Sequence, residues 1–174
     1  MLDAKKREVE EWYTLYSESI FKYIFMMTHD YQQAEDLTQE TFVKVFVHYD
    51  SFHRNSSPKT WIYRIAHNVT VDAQRKKKPL LKVKEFFQSA DPKPLPEEVV
   101  TIRESSVELF QLLQKLKSNY REVIVFRKVK GLSTKETAEI LQWSESKVKM
   151  TLNRALTALE KEMEKEGYKY EKFI

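Results

Sequence analysis

The chain has 174 residues, enough for one medium domain or two small ones, with 41% hydrophobic residues, 32% charged residues and a formal net charge of +4. It contains no cysteine, which excludes disulfides, thiolate metal sites and cysteine nucleophiles and fits a reducing compartment. Its only glycines are Gly131 and Gly167, so no glycine-rich phosphate-binding turn can be built; together with abundant Lys, Glu, Leu and Ala and little β-type alternation, this indicates an all-α protein.

The charge is unevenly spread. Residues 1–50 hold 5 Lys/Arg against 10 Asp/Glu, residues 51–90 hold 9 against 2, and residues 105–174 hold 14 against 10. An acidic head followed by basic blocks points to two kinds of partner, with the basic blocks suited to a polyanion. The opening MLDAKKREVEEWY is too charged for a signal peptide, and no apolar run is long enough to cross a bilayer, so a soluble, cytoplasmic protein is expected.

Along the chain, residues 9–27 read as an aromatic-rich helix and residues 31–49 as a second. In the second, Leu37, Thr41 and Val45 recur at i, i+4 and i+8, and Phe42, Phe46 and Tyr49 add another apolar row. Asp36, Gln39 and Glu40 fall on the opposite side. Residues 51–59, SFHRNSSPK, form a polar loop with Pro58 leading into the next helix. That helix is expected over 61–75, inside the stretch TWIYRIAHNVTVDAQRKKK, which begins as a core-forming segment and ends in four consecutive cations. Four of the five prolines lie at 79, 92, 94 and 96, and the segment 78–98 lacks a sustained helical period, which marks a linker.

Beyond the linker, residues 105–116 and 119–130 read as helices, the latter stopped by Gly131. Ser133 and Glu136 have capping-box spacing at the start of a short helix to Leu141, and Ser144 can cap a further helix over 145–166. Two helices joined by a few residues, with the small Ala138 between them, form a helix-turn-helix pattern. Val148 and Leu152 then face the core. Ser146, Lys147, Lys149, Met150, Asn153 and Arg154 face outward, where Lys and Arg can reach phosphates or guanine edges and Asn can pair with adenine. The turn carries Gln142-Trp143 where a glycine often helps the chain reverse.

Four stretches carry a family resemblance: AEDLTQETFVKVF (34–46), YDSFHRNSSPKTWIYRIAHNVTVDAQRKKK (49–78), LKSNYREVIVFRKVKGLSTKETAEIL (116–141) and SESKVKMTLNRALTALEKEM (144–163). In this order they resemble the bacterial extracytoplasmic-function (ECF) sigma factors of the sigma-70 superfamily, and the strings SESKVK and SSPKTW are most similar to the sigma-X type of bacilli. The resemblance implies two small helical domains. A sigma-2 domain would span 1–78 and a sigma-4 helix-turn-helix domain 105–166, with a Pro-rich linker over 79–104 and a tail over 167–174. It implies a protein that binds core RNA polymerase through the β′ clamp helices and β flap, recognises the −35 and −10 promoter elements and opens the duplex. No catalysis, cofactor, metal or small-molecule substrate of its own is implied. An anti-sigma factor, often membrane-bound in this family, is a further implied partner.

Residue by residue, Asp36, Leu37, Gln39 and Glu40 match the family's surface for the clamp helices, a charged row with one apolar anchor. Phe52, Arg54, Asn55, Ser56 and Ser57 fall in its specificity loop, where a flipped base would meet an apolar wall at Phe52 and polar groups at Asn55, Ser56 and Ser57. Trp61, Ile62, Ile65 and Val69 would pack the next helix. Ile65 matches a base-pocket position and Asn68 a −10 contact, while Arg64, Arg75, Lys76, Lys77 and Lys78 would hold phosphates. Ser146, Lys147, Lys149, Met150, Asn153 and Arg154 match the −35 contacts. The chain departs from the family pattern at Arg54 and Asn55, where Gly and an acid are common, at Pro58, where an aromatic is common, and at Met150, where a small or basic residue is common. The alternative, a helix-turn-helix regulator that is not a polymerase subunit, explains the second domain but leaves the acidic helix and WIYRIAHN without a role. A helical enzyme is disfavoured by four scattered histidines and the lack of an H-E-x-x-H motif.

Overall fold

A computed structural model describes residues 1–87 and 104–168, with side chains described outside 78–106. The linker reading beyond residue 87, most of the tail and the side chain of Lys78 lie outside the described residues. Among the described residues every regular element is helical. The chain divides into two compact units, 1–93 and 94–174.

In the first unit, α1 (Leu2–Thr28) and α2 (Tyr31–Val47) are joined by a two-residue corner. His29 ends α1 in the left-handed region at φ 55, and its N–H reaches the Phe25 carbonyl at 2.8 Å. Asp30 then caps α2, its carboxylate accepting from the Gln33 N–H at 3.0 Å. The core is built from Ile20, Tyr23 and Ile24 of α1, Ala34, Thr41 and Val45 of α2, and Ile62, Tyr63 and Ala66 of α3, all fully buried. Buried threonines are tolerated because each hydroxyl donates back one turn: Thr38 to Ala34, Thr41 to Leu37 and Thr70 to Ala66, at 2.6–2.7 Å.

A 3₁₀ turn (Tyr49–Ser51) and a loop lead to α3 (Pro58–Phe87). This helix is longer than its apolar pattern at both ends. Ser57 caps it, accepting from the Thr60 N–H at 3.1 Å, and Pro58 occupies the first helical position, where its missing N–H costs nothing. At the other end α3 continues through Pro79, which the sequence marks as a stop. Proline fits helical φ and removes only the bond to the carbonyl four residues back; propagation past it is easier than nucleating afresh. Near this end α3 is fastened to the α1–α2 corner. Gln74 donates to the Met27 carbonyl at 2.9 Å, and Lys77 donates to Gln33 Oε1 at 2.9 Å and lies 3.6 Å from Asp30.

The second unit holds α4 (Glu104–Gln114), α5 (Ser118–Ile124), α6 (Thr134–Leu141) and α7 (Glu145–Lys165). The expected helix over 119–130 is not regular throughout. It widens into a π turn over Val125–Val129, with the Lys130 N–H bonded to the Val125 carbonyl five residues back at 2.8 Å. Residues 122–126 are buried in succession, more than one face of an α-helix can hide. Gly131 then reverses the chain at φ 67. Arg121 links α5 to the end of α4, donating to the carbonyls of Leu113, Gln114 and Leu116 at 3.0–3.3 Å and so satisfying acceptors that the helix leaves open. Burial holds its pKa below the usual arginine value.

Candidate nucleic-acid interface

The helix-turn-helix is assembled by its caps. Ser133 accepts from the Glu136 N–H at 3.0 Å, and the Glu136 carboxylate accepts from the Ser133 N–H at 2.7 Å, the reciprocal box expected from the spacing. Between the helices Gln142 takes the left-handed conformation at φ 56, the position a glycine would fill, and the Trp143 N–H closes onto the Ala138 carbonyl at 3.0 Å. Ser144 restarts the chain as α7 by accepting from the Lys147 N–H at 3.1 Å.

Along α7, Val148, Thr151, Ala155, Leu159 and Met163 are buried at helical spacing. Ser146, Lys147, Lys149, Met150, Asn153 and Arg154 are all exposed on the other side. Leu152 is half-buried at the border. Lys147 folds over the Trp143 ring, 4.2 Å from its centroid, so part of its charge is spent within the domain. Met150 stands 49% exposed in the middle of the cationic face. The face therefore offers cations, an amide and one apolar patch together.

On α3, Arg64, Asn68, Asp72, Arg75 and Lys76 are exposed, while Ile62, Ala66, Val69 and Thr70 are buried and Trp61 and Ile65 are half-buried. Arg64 and Arg75 are eleven residues apart, about 16 Å along the helix, or roughly five stacked nucleotides. Lys77 differs from its neighbours because it is held by Gln33 and Asp30.

The loop before α3 is less open than its sequence reads. Phe52 stacks on Trp61 with centroids 4.9 Å apart and meets Trp12 edge-on at 5.7 Å, so it is part of an aromatic cluster. Ser57 serves as the helix cap. Arg54, at φ 58, donates from one guanidinium nitrogen to both carboxylate oxygens of Glu8, at 2.9 and 3.0 Å. The Tyr49 hydroxyl donates to the same carboxylate. That bond, with the Arg54 charge, holds the Glu8 carboxyl below the usual glutamate range despite some desolvation, and the Tyr49 hydroxyl is raised in turn. Asn55 remains exposed and Ser56 half-buried at the tip.

On α2, Asp36, Gln39 and Glu40 are exposed together. Leu37 is not among them. At 6% exposure it belongs to the interior, because it follows the same row as Thr41 and Val45. The exposed face continues instead through Val43 and Val47, each 61% exposed, at i+3 and i+7 from Glu40. Glu8, Val43 and Val47 went unnoticed in the sequence. The valines could have been found by extending the Asp36–Glu40 row, whereas Glu8 lies 46 residues from its partner and leaves no local signal.

Among the described residues no group of three or more His, Asp or Glu is arranged to hold a metal ion, and no helix is long and apolar enough to cross a membrane.

Comparison with known proteins agrees with this architecture. The Sigma-70 region 2 family matches residues 12–79 and the Sigma-70 region 4 family residues 106–159. The chain is 37% identical over 164 residues to the RNA polymerase sigma factor YlaC of Bacillus subtilis, covering 90% of this chain and 92% of that protein. It is 35% identical over 158 residues to the ECF RNA polymerase sigma factor SigX of the same organism, covering 87% and 81%. Among solved structures, the sigma factor RpoE from Bartonella quintana, crystallised with the anti-sigma factor NepR, superposes with a TM-score of 0.76 at 21% identity over 91% of this chain and 98% of that one. With both sigma-70 regions in order and this identity over most of its length, the chain belongs to the ECF RNA polymerase sigma factors.

Proposed function

We propose that this chain joins core RNA polymerase as its promoter-specificity subunit, directing −35 and −10 recognition and duplex opening. The observation that carries the reading is the exposed face of α7. One continuous surface offers Ser146, Lys147, Lys149, Met150, Asn153 and Arg154, while every fourth or so residue behind it is locked in the core. Such a surface suits the major groove, with cations for phosphates and Asn and Met for base edges. In the first unit, Arg64, Asn68, Arg75 and Lys76 would follow the −10 strand, with Asn55 and Ser56 at the loop meeting an extruded base. Ile65 would line the base pocket. Asp36, Gln39 and Glu40 would meet the β′ clamp helices, with Val43 and Val47 as the apolar members of that surface and Leu37 supporting it from beneath. The β flap would be met by the second unit.

The protein would work in the cytoplasm and perform no bond-making chemistry, the polymerase synthesising the RNA. An anti-sigma factor, as NepR is to RpoE, would complete the partner set. The test is runoff transcription with purified core polymerase and a pool of promoter fragments, comparing the wild type with Asp36→Arg/Glu40→Arg. Defined transcripts lost in the charge-reversed variant are expected. DNA binding without any transcript from a competent core would instead make the protein a helix-turn-helix regulator.

A further inference from the structure

The loop between the 3₁₀ turn and α3 is held at three points. At its start Phe52 is clamped between Trp61 and Trp12. At its end Ser57 is fixed as the α3 cap. Between them Arg54 adopts a left-handed backbone, which a residue with a side chain avoids unless something holds it there. What holds it is Glu8 of α1, through the paired hydrogen bonds from the Arg54 guanidinium, with the Tyr49 hydroxyl fixing the carboxylate from its other side. The guanidinium also lies 5.7 Å from the Phe52 ring centroid, so the two inner anchors touch. Only Asn55 and Ser56 are left between fixed points.

Glu8 precedes residues 12–79, the segment matched by the family. The contact is thus an addition this chain makes to the region 2 scaffold. It also changes the role of Arg54. A guanidinium already paired with a carboxylate carries little charge to spare for a phosphate, and its pairing instead fixes where the next two side chains point. The Arg54 side chain is 62% exposed and that of Glu8 26%, so the pair is a surface one, strong enough to bias a loop and too weak to hold up the domain.

We propose that Glu8 is a specificity-setting positioning residue, which holds Arg54 in its left-handed turn and thereby presents Asn55 and Ser56 as the base-reading tip of the loop. The inference rests on reading this loop as the part of the protein that receives a −10 base.

The experiment uses holoenzyme assembled from core polymerase and the full chain, transcribing a promoter library randomised across the −10 element, with transcripts sequenced and core affinity measured separately. Glu8→Gln and Arg54→Ala are expected to shift base preference at the same −10 position, by about threefold, as expected for a surface ion pair. The double variant should shift it no further, core affinity should stay unchanged, and the reversed pair Glu8→Arg/Arg54→Glu should recover much of the wild-type preference. Recovery by the reversed pair distinguishes positioning from a general loss of fold. If Arg54→Ala alone shifts the preference, or if both variants weaken all promoters equally, the latch is overturned and Arg54 acts directly on DNA. Asn55→Ala separates the two levels. A shift with Asn55→Ala but none with Glu8→Gln removes the latch alone, whereas no shift with either removes the loop's −10 role and the latch with it.

Discussion

Replacing Met150 by alanine isolates the one apolar contact on the α7 face. The side chain is 49% exposed, so about half of its surface remains to be covered by a partner. Full burial of a methionine side chain contributes about 1.5–3 kcal/mol, so covering the remaining half contributes about 1 kcal/mol, or roughly fivefold in Kd. The apolar feature a DNA major groove offers is the thymine C5-methyl group. Met150→Ala should therefore weaken holoenzyme binding about fivefold on a promoter recovered from a randomised library, at fixed salt. Replacing each −35 thymine in turn by uracil should reproduce that loss at one position, and at that position the variant should lose nothing more. The assay is competition binding with duplexes differing only in that methyl. Equal weakening of all thymine and uracil duplexes, or none, would refute the contact and leave Met150 as an accident of the surface.

Removing the Ser133 hydroxyl breaks both halves of the capping box, so Ser133→Ala should destabilise the second unit by about 1 kcal/mol, lowering its calorimetric transition by roughly 5 °C. Lys149→Ala and Arg154→Ala should each reduce the slope of log K against log salt by about 0.9, since these exposed cations have no other task. Lys77→Ala should barely alter that slope and should instead lower the melting temperature of the first unit, because Lys77 is engaged with Gln33 and Asp30. Folding lowers the Glu8 pKa, so its contribution is complete above the unfolded value of about 4.3 and disappears as pH falls through the lower folded value. The stability difference between wild type and Glu8→Gln should accordingly be flat from pH 8 to 5 and shrink below that window in denaturant titrations.

The parts legible in the sequence are those specified by neighbours in the chain. The capping box needs only Ser133 and Glu136, and the buried row of α7 needs only the spacing of Val148, Thr151 and Ala155. The all-α class follows from composition, and the family from four ordered motifs. What was missed depends on distant partners or on backbone detail. Leu37 looked like an anchor because it lies among Asp36, Gln39 and Glu40 in sequence, yet a helix turns it toward Thr41 and the interior. Arg54 looked like a phosphate ligand because its carboxylate partner lies in another helix. Pro79 looked like a stop because a lost hydrogen bond is legible whereas an already propagating helix is not. Gln142 replaced the expected glycine, and the backbone took the left-handed turn regardless.

The widened turn at Val125–Val129 has a consequence for chain length. A π turn holds one residue more than an α turn, so it acts as an absorbed insertion. Deleting one residue there would restore ordinary α hydrogen bonding and remove no fully buried polar partner from the backbone. It would also rotate everything downstream by about 100° about the helix axis. Gly131 would leave its reversal point, and Arg127 would lose the Leu132 carbonyl to which it donates. The recognition helix would then be aimed elsewhere although no residue in it had changed. In this segment the number of residues is constrained as tightly as their identity, and a one-residue deletion that looks conservative in composition acts as a rotation of the whole helix-turn-helix.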